Sequence, residues 1–219
     1  MNRFITLLTL CALAPLAVHA GALQVSVLDK EGKPVPDAVV VLVPAVAGAS
    51  QQAPLPTRVT ISQEKMRFIP AVSLVAVGAR ASFVNNDPWE HHVRASPAGI
   101  HNFDSAGSAG GFELRLDGKP EGKAARTAEA TFDKPGAVLL GCHLHASMRG
   151  HVYVSDSPWA SITGNEGTAS FEGVPDGPVT VKVWQADQLI DLPPQQLKLT
   201  SAPAKATLQL SVVPRRRRV

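Results

Sequence analysis

The sequence predicts an all-β fold, because short apolar runs alternate with turn residues along the chain and no long helical pattern interrupts them. The runs are rich in Val, Leu and Phe, and they stop at Gly, Pro, Asn or Asp. The chain has 219 residues, of which 45% are apolar, and this suits one large domain or two small ones. Because only 18% of the residues are charged, the composition is not that of a disordered chain.

The alternating pattern places each strand between two turn signals. The predicted strands are Leu23–Leu28, Ala38–Val43, Arg58–Ser62, Ser73–Val77, Arg80–Asn85, His92–Ala95, Phe112–Leu116, Thr127–Phe132, Gly136–Leu140, Gly150–Ser155, Thr168–Phe171, Val179–Gln185 and Lys205–Val212. The segments Ala45–Pro56 and Gly118–Ala125 are predicted to be loops.

Residues 1–20 have the organisation of a signal peptide. Arg3 supplies the positive charge, Phe4–Leu16 is apolar, and Val18-His19-Ala20 ends the segment with a small residue. A membrane anchor is the alternative, but this apolar run is short for a bilayer span. We therefore expect a cleaved signal peptide, a periplasmic protein and no stable membrane insertion.

The net positive charge of the chain comes from its C-terminal end. The formal net charge is +3, but Arg215 to Arg218 lie in the basic tail 215–219, and the remainder is about neutral. This distribution does not predict a nucleic-acid-binding face. We expect the tail to be a solvated end, with a weak contact to an acidic partner or lipid surface as the alternative.

Cysteine usage points to a special role for one residue. The sequence has two cysteines, and Cys11 would leave with the signal peptide, so Cys142 would be the only cysteine of the mature chain. In an oxidising compartment, an unpaired cysteine is a liability unless it is buried, bridged to a partner or bound to a metal.

The surroundings of Cys142 favour a metal. Cys142, His145 and Met148 follow the spacing Cys-x2-His-x2-Met. Thiolate and thioether suit Cu(I), imidazole suits both copper oxidation states, and a Cys/His2 plane with a distant Met is the arrangement of electron-transfer copper sites. A strand that ends at Cys142 and a tight loop after it would turn His145 and Met148 toward one point.

Other interpretations of this segment stay open. Zinc would prefer more cysteines or histidines, and methionine is a poor zinc ligand. A catalytic Cys–His pair usually needs an orienting Asn or Asp, and none is evident nearby. A buried structural cysteine with His and Met near it by chance is the remaining alternative.

A further donor is available upstream, in the segment Phe83–Val93. It contains His91 and His92 at the point where a strand should begin. Because neighbouring residues on a strand face opposite ways, only one of the two histidines can point into a site.

Together, these two segments resemble the cupredoxin family. The Cys142–Val154 segment is most similar to the amicyanin type, and the Asn85–Val93 segment resembles the Asn-Asn…His-x-Val stretch of the plastocyanin type. The whole chain also resembles bacterial secreted plastocyanin-like proteins labelled as methylamine utilisation proteins. The resemblance implies one copper ion bound by His91, Cys142, His145 and Met148, with His92 in the non-ligand position.

The sequence departs from the family pattern at several positions. Leu139-Leu140-Gly141 lacks the aromatic residue often found before the cysteine, His143 is an extra potential donor, and Ser96–Lys123 is a long insertion. By strand alternation, His143 should point away from the metal.

Five further residues, two histidines, one methionine and two tryptophans, are predicted to have no part in metal binding. We expect His101 and His151 to lie at the surface. Met66, Trp159 and Trp184 are expected to pack against apolar neighbours.

The flanking segments resemble a second module. Ser161–Val183 is similar to the later part of carboxypeptidase-regulatory-like β-sandwiches, and Leu23–Val40 resembles the early part. We therefore expect a cupredoxin-like Greek-key β-sandwich over 57–155, inserted into a second small β-sandwich formed by 21–56 and 156–214. In the alternative arrangement, the N-terminal strands extend the copper domain and the C-terminal part is separate.

The function that these features favour is one-electron transfer with a transient redox partner, and not enzymatic catalysis. We find no ligand set for a second copper cluster, which weakens an oxidase interpretation. A copper module for storage, delivery or sensing is the alternative function, and a structural or ligand-binding module is a third class.

Overall fold

The computed structural model describes residues 20–48, 50–99 and 111–215, and these contain strands and no helix. The strands are β1 Ala20–Leu28, β2 Val39–Pro44, β3 Arg58–Glu64, β4 Arg67–Ile69, β5 Val72–Ala76, β6 Ala79–Asn85, β7 His91–Pro97, β8 Glu113–Leu116, β9 Arg126–Phe132, β10 Gly136–Cys142, β11 Arg149–Ser155, β12 Ala160–Ile162, β13 Thr168–Pro175, β14 Gly177–Trp184, β15 Gln195–Leu199 and β16 Ala204–Gln209. The predicted all-β sandwich fold is confirmed.

One sandwich is formed by the two ends of the described chain. Its sheets have the strand orders β13-β1-β16 and β12-β2-β14-β15. Between them lies a core of buried apolar side chains that includes Val25, Leu42, Phe171 and Val181. Alternation along each strand sends these residues inward, because successive side chains of a strand point to opposite faces.

The other sandwich is formed by the middle of the chain. Its sheets have the orders β5-β11-β10-β7-β8 and β4-β3-β6-β9. The core between them includes Phe83, Val93, Leu140, Cys142 and Met148. Cys142 and Met148, two of the predicted metal ligands, therefore belong to this hydrophobic core.

The N-terminal strands pair with the C-terminal strands, as predicted for Leu23–Val43 and Ser161–Val212. β1 is antiparallel to β13 and parallel to β16. β2 lies between β12 and β14, antiparallel to both. The alternative arrangement, in which the N-terminal strands extend the middle sandwich, is therefore wrong, whereas the residue boundaries of the domains stay a prediction.

A smaller apolar cluster joins the two sandwiches. Trp184 of β14 packs against Tyr153 and His151 of β11 with tilted rings, whose centroids are 5.8 and 5.3 Å apart. The same cluster contains Val39 of β2 and Val72 of β5. Trp159 lies in the core of the first sandwich, so both tryptophans pack as predicted.

Several local expectations differ from the structure. β4, β12 and β15 were not predicted, and β7 begins at His91, one residue before the predicted start. Met66 is 45% exposed and does not pack into a core, because it occupies the tight turn between β3 and β4.

Some sequence predictions lie outside the described residues. They concern the signal peptide, Cys11, His101, most of the basic tail and part of the Ser96–Lys123 insertion. Within the described part of the chain, no helix has the length and hydropathy needed to cross a bilayer.

The shared core of the terminal strands can be tested with Phe171→Ala. Phe171 is fully buried, and truncation of such a side chain should lower the free energy of unfolding by about 3–5 kcal/mol. Urea unfolding of the mature protein measures this. The control Glu172→Ala changes the adjacent exposed residue and should have little effect. Equal effects of the two substitutions would contradict the assigned register.

Candidate metal centre

Three ligand atoms from two distant segments converge at one end of the middle sandwich. The Cys142 Sγ atom lies 3.7 Å from His91 Nδ1 and 3.5 Å from His145 Nδ1. The ligand atoms of the three residues all lie within 4.8 Å of one another. The two imidazole rings meet edge to face, with centroids 4.9 Å apart.

These separations fit a single transition-metal ion. Metal–sulfur bonds of about 2.3 Å and metal–nitrogen bonds of about 2.0–2.1 Å place S and N ligands about 3.5–3.8 Å apart at trigonal or tetrahedral angles. Both measured S–N separations fall in this range. The donor set and its geometry therefore fit a metal that accepts one thiolate and two imidazoles.

The pairing of β7 with β10 brings the first two of these residues together. β7 begins at His91 and β10 ends at Cys142, and the antiparallel register places Cys142 opposite Val93. The His143 N–H extends the pairing by donating to the His92 carbonyl at 3.0 Å. His91 is completely buried, whereas His92 lies on the other face and is partly exposed.

The loop after β10 supplies the remaining predicted residues. The Met148 N–H donates to the His145 carbonyl at 2.9 Å, which closes a turn before β11. Met148 is 1% exposed and belongs to the same buried cluster as Cys142. His145 is half-buried and Leu144 is 52% exposed, so the protein surface approaches the site at this loop.

A buried carboxylate, which the sequence analysis missed, orients His91. Asp87 Oδ2 lies 2.8 Å from His91 Nε2, and both side chains are almost inaccessible to solvent. Because an ionised carboxylate only accepts hydrogen bonds, this contact requires a proton on His91 Nε2, and in the neutral ring the Nδ1 lone pair then faces Cys142. The Asp-x3-His spacing in Asn-Asn-Asp-Pro-Trp-Glu-His was the available sequence signal.

Two backbone N–H groups hold the Asp87 carboxylate in place. Its carboxylate accepts hydrogen bonds from the N–H groups of Lys65 and Met66 at 2.6 and 3.0 Å. Lys65 and Met66 both have positive φ, of 52° and 57°, in the two-residue turn that joins β3 to β4. These hydrogen bonds offset the cost of a left-handed conformation at two residues other than glycine.

The charge of Asp87 is stabilised where it lies. Burial alone would raise the pKa of Asp87, but hydrogen bonds from the Met66 backbone, the His91 side chain and the Lys65 backbone outweigh burial and lower it. The carboxylate therefore stays ionised at neutral pH. A negative charge behind the ring makes His91 a better electron-pair donor toward a metal.

Asn85 fixes the turn that carries Asp87. Its side-chain oxygen accepts from the Asp87 N–H at 2.9 Å. Its amide nitrogen lies 2.8, 3.1 and 3.0 Å from the carbonyls of Trp89, Leu116 and Asp117. A fully buried asparagine with these partners ties the start of β7 to the end of β8.

A second group of potential ligands lies on the other face of the same strands. His92, Glu113 and His143 place their ligand atoms within 4.8 Å of one another. Glu113 was not singled out from the sequence, because it reaches the histidines only through the pairing of β7 with β8. His143 is directed toward Glu113 and away from the Cys142 site, as strand alternation predicted.

Comparisons with known proteins give structural likenesses alone. No protein-family profile and no curated protein matches the chain. A Cu-containing nitrite reductase from Thermus scotoductus is 25% identical with a TM-score of 0.33, over 52% of this chain and 25% of that one. The chain thus spans about a quarter of that reductase.

Smaller proteins are matched over nearly their whole length. Amicyanin from Paracoccus versutus is 23% identical with a TM-score of 0.34, over 49% of this chain and 96% of its own. A purple cupredoxin from Nitrosopumilus maritimus is 18% identical with a TM-score of 0.31, over 44% of this chain and 99% of its own. Each overlap leaves about half of this chain unmatched.

Asp87→Asn tests whether the buried carboxylate sets the tautomer of His91. The amide has one acceptor oxygen and no charge, so at least one of the three N–H groups that meet Asp87 loses its acceptor. We expect the free energy of unfolding to fall by about 1–3 kcal/mol. Long-range ¹H–¹⁵N spectra of the imidazoles should show His91 protonated at Nε2 in the wild type and a mixture of tautomers in the variant. The exposed residue Asp133 provides the control, Asp133→Asn, and an unchanged His91 tautomer in Asp87→Asn would contradict the assigned role.

Proposed function

We propose that this protein is a periplasmic type 1 copper protein that transfers single electrons between redox partners. In the proposed site, His91, Cys142 and His145 would hold one copper ion strongly, and Met148 would be a weaker fourth ligand. The protein would act after removal of residues 1–20 and would not be an enzyme. The observation that carries the proposal is the convergence of one thiolate and two imidazoles at metal-binding separations.

The chemistry of the donors supports copper over its rivals. Cysteine, two histidines and a nearby methionine are the ligand types of mononuclear electron-transfer copper sites, and copper bound by them supplies a reversible step between Cu(I) and Cu(II). The resemblance of the Cys142–Val154 segment to the amicyanin type points the same way. A structural zinc site would typically have four Cys or His ligands, and this group has three.

The protein surroundings suit a redox step with little movement. His91 is anchored by Asp87, and Cys142 is held at the end of β10 by its pairing with β7. Because both ligands are fixed by buried hydrogen bonds and strand pairing, the donor atoms would keep their positions when the charge of the site changes. A nearly constant geometry lowers the reorganisation energy of electron transfer.

A partner would approach the loop between β10 and β11. This loop carries the half-buried His145 beside the exposed Leu144, and Trp89, two residues before His91, is 42% exposed. A small apolar rim of this kind suits a transient redox complex, which buries little surface. We therefore propose that electrons enter or leave through His145.

The Cu(II)-loaded mature protein tests this function through its visible absorption and EPR spectra. We expect an intense thiolate-to-Cu(II) band that Cys142→Ser abolishes, because the band needs the Cys142 sulfur. His92→Ala, which alters the adjacent residue on the opposite face, is the matched control and should keep the band. Tight Cu(I) binding without the band would favour storage or delivery of copper, and a band that survives in Cys142→Ser would refute the site.

Met148 should adjust the redox potential without holding the metal. Met148→Gln adds a harder oxygen donor that favours Cu(II), so the potential should fall. Met148→Leu keeps an apolar side chain of similar volume and removes the donor, so the potential should rise. Voltammetry should give shifts of about 60 mV or more in opposite directions, which is about tenfold in the one-electron equilibrium. Potentials that both stay near the wild-type value would show that Met148 only packs beneath the loop.

A further inference from the structure

The outward faces of β7 and β8 and the residue after β10 place three more ligand atoms together. His92 Nε2 lies 3.5 Å from Glu113 Oε2, and His143 Nε2 lies 3.3 Å from Glu113 Oε1. The two imidazole rings have centroids 4.7 Å apart. The carboxylate therefore faces both histidines, with one oxygen turned to each.

These separations are those of ligands around one ion. Bonds of about 2.0–2.2 Å to nitrogen and oxygen in tetrahedral geometry put neighbouring ligand atoms about 3.4 Å apart. Both measured Nε2–carboxylate separations lie close to this value. The ligand atoms of all three residues lie within 4.8 Å of one another, so one ion can lie between them.

The backbone holds the three ligands in register. β7 is flanked by β10 and β8, so the ligands lie on adjacent segments although they are far apart in sequence. Glu113 pairs with Arg94, two residues along β7 from His92, and the His143 N–H donates to the His92 carbonyl at 3.0 Å. The arrangement is therefore built by strand pairing and not by a flexible surface loop alone.

We propose that His92, Glu113 and His143 form a second metal site, which binds a divalent transition-metal ion such as Zn²⁺ or Cu²⁺. Two neutral imidazoles and one carboxylate are ligands that both ions accept. Three protein ligands leave at least one coordination position for water or an external ligand. The side chains of His92, Glu113 and His143 are 21%, 58% and 39% exposed, so an ion reaches them directly from solvent.

This outer site is distinct from the group around Cys142, but it is covalently connected to it. His92 follows His91, and His143 follows Cys142, so one peptide bond on each strand links an inner residue to an outer one. An ion at the outer site would add positive charge directly behind the Cys142 site. The outer ion would be held by His92, Glu113 and His143 alone, and none of these residues belongs to the inner group.

Zn²⁺ is the probe, because it is redox-inert and suits the three ligands. The metal-free mature protein is titrated with Zn²⁺ by calorimetry, and the imidazole resonances are followed in long-range ¹H–¹⁵N spectra. Glu113→Gln and His143→Gln should each weaken Zn²⁺ binding at the outer site at least about tenfold. Even residues that only support a ligand contribute 10–100-fold to metal affinity. The resonances of His92 and His143 should shift as Zn²⁺ is added.

Two further variants separate the outer site from other binding. Cys142→Ser removes the inner thiolate and should retain the outer Zn²⁺ with its His92 and His143 shifts. His151→Gln removes a histidine from β11, where it contacts Trp184, and should behave as the wild type. Urea unfolding of each variant checks that the fold is kept.

The proposal is overturned if Zn²⁺ binding is unchanged in Glu113→Gln and His143→Gln, or if it is lost in Cys142→Ser. It is equally overturned if His92 and His143 do not respond to Zn²⁺, which would leave the cluster as an exposed ion pair of little energetic weight. A visible copper band that is absent from the wild type, or that survives in Cys142→Ser, would contradict the inner site only, so the two proposals fail separately.

Discussion

The antiparallel pairing of β7 with β10 is the constraint on which the chemistry of this molecule depends. It places the start of one strand beside the end of the other, with Cys142 opposite Val93. The two-residue period of a strand then directs His91 and Cys142 inward and His92 and His143 outward. A slip of one residue would exchange the faces, bury His92 and expose His91. The hydrophobic residues Val93 and Ala95, which are buried on the same face as His91, oppose such a slip.

A chain of buried hydrogen bonds extends this constraint beyond the two strands. Asp87 links His91 to the turn between β3 and β4, and Asn85 links the Asp87 turn to the end of β8. The Lys119 N–H adds a further link by donating to the Asp87 carbonyl at 2.7 Å. Gly118 allows this approach, because a Cβ atom there would collide with the Pro88 carbonyl. A polar network in which each member has partners makes one arrangement of His91 much more stable than the others.

Local spacing made part of this site predictable from sequence. Cys142, His145 and Met148 lie within one short segment, so the geometry of a strand followed by a tight loop was enough to group them. Strand alternation shows that only one of His91 and His92 faces inward, and it was the resemblance to known segments that selected His91. The structure bears out that orientation, with His91 at 0% exposure.

The residues that were missed act through long-range contacts. Asp87 meets the turn at Lys65–Met66, and Glu113 meets His143 across three adjacent strands. No pattern within a short window carries such information. The hairpin between β3 and β4 was missed for a related reason. Its turn has the sequence Lys-Met, where Asn-Gly would be expected, and a side chain far along the sequence stabilises it.

Within the described residues, the way the two sandwiches are connected leaves the end that carries the candidate metal centre uncovered. β2 ends at Pro44 and β12 begins at Ala160, and the two strands pair with Ala160 opposite Val41. The chain therefore leaves the terminal sandwich and returns to it at neighbouring strands, the condition under which a long insertion costs little. The inserted sandwich is anchored through β11, where Tyr153 and His151 meet Trp184. The loop with His145 precedes β11 and the connection to β12 follows it, so the length of a strand of 7 residues, about 23 Å, separates them. Leu144 accordingly remains 52% exposed, and a partner can reach the loop without displacing the second sandwich.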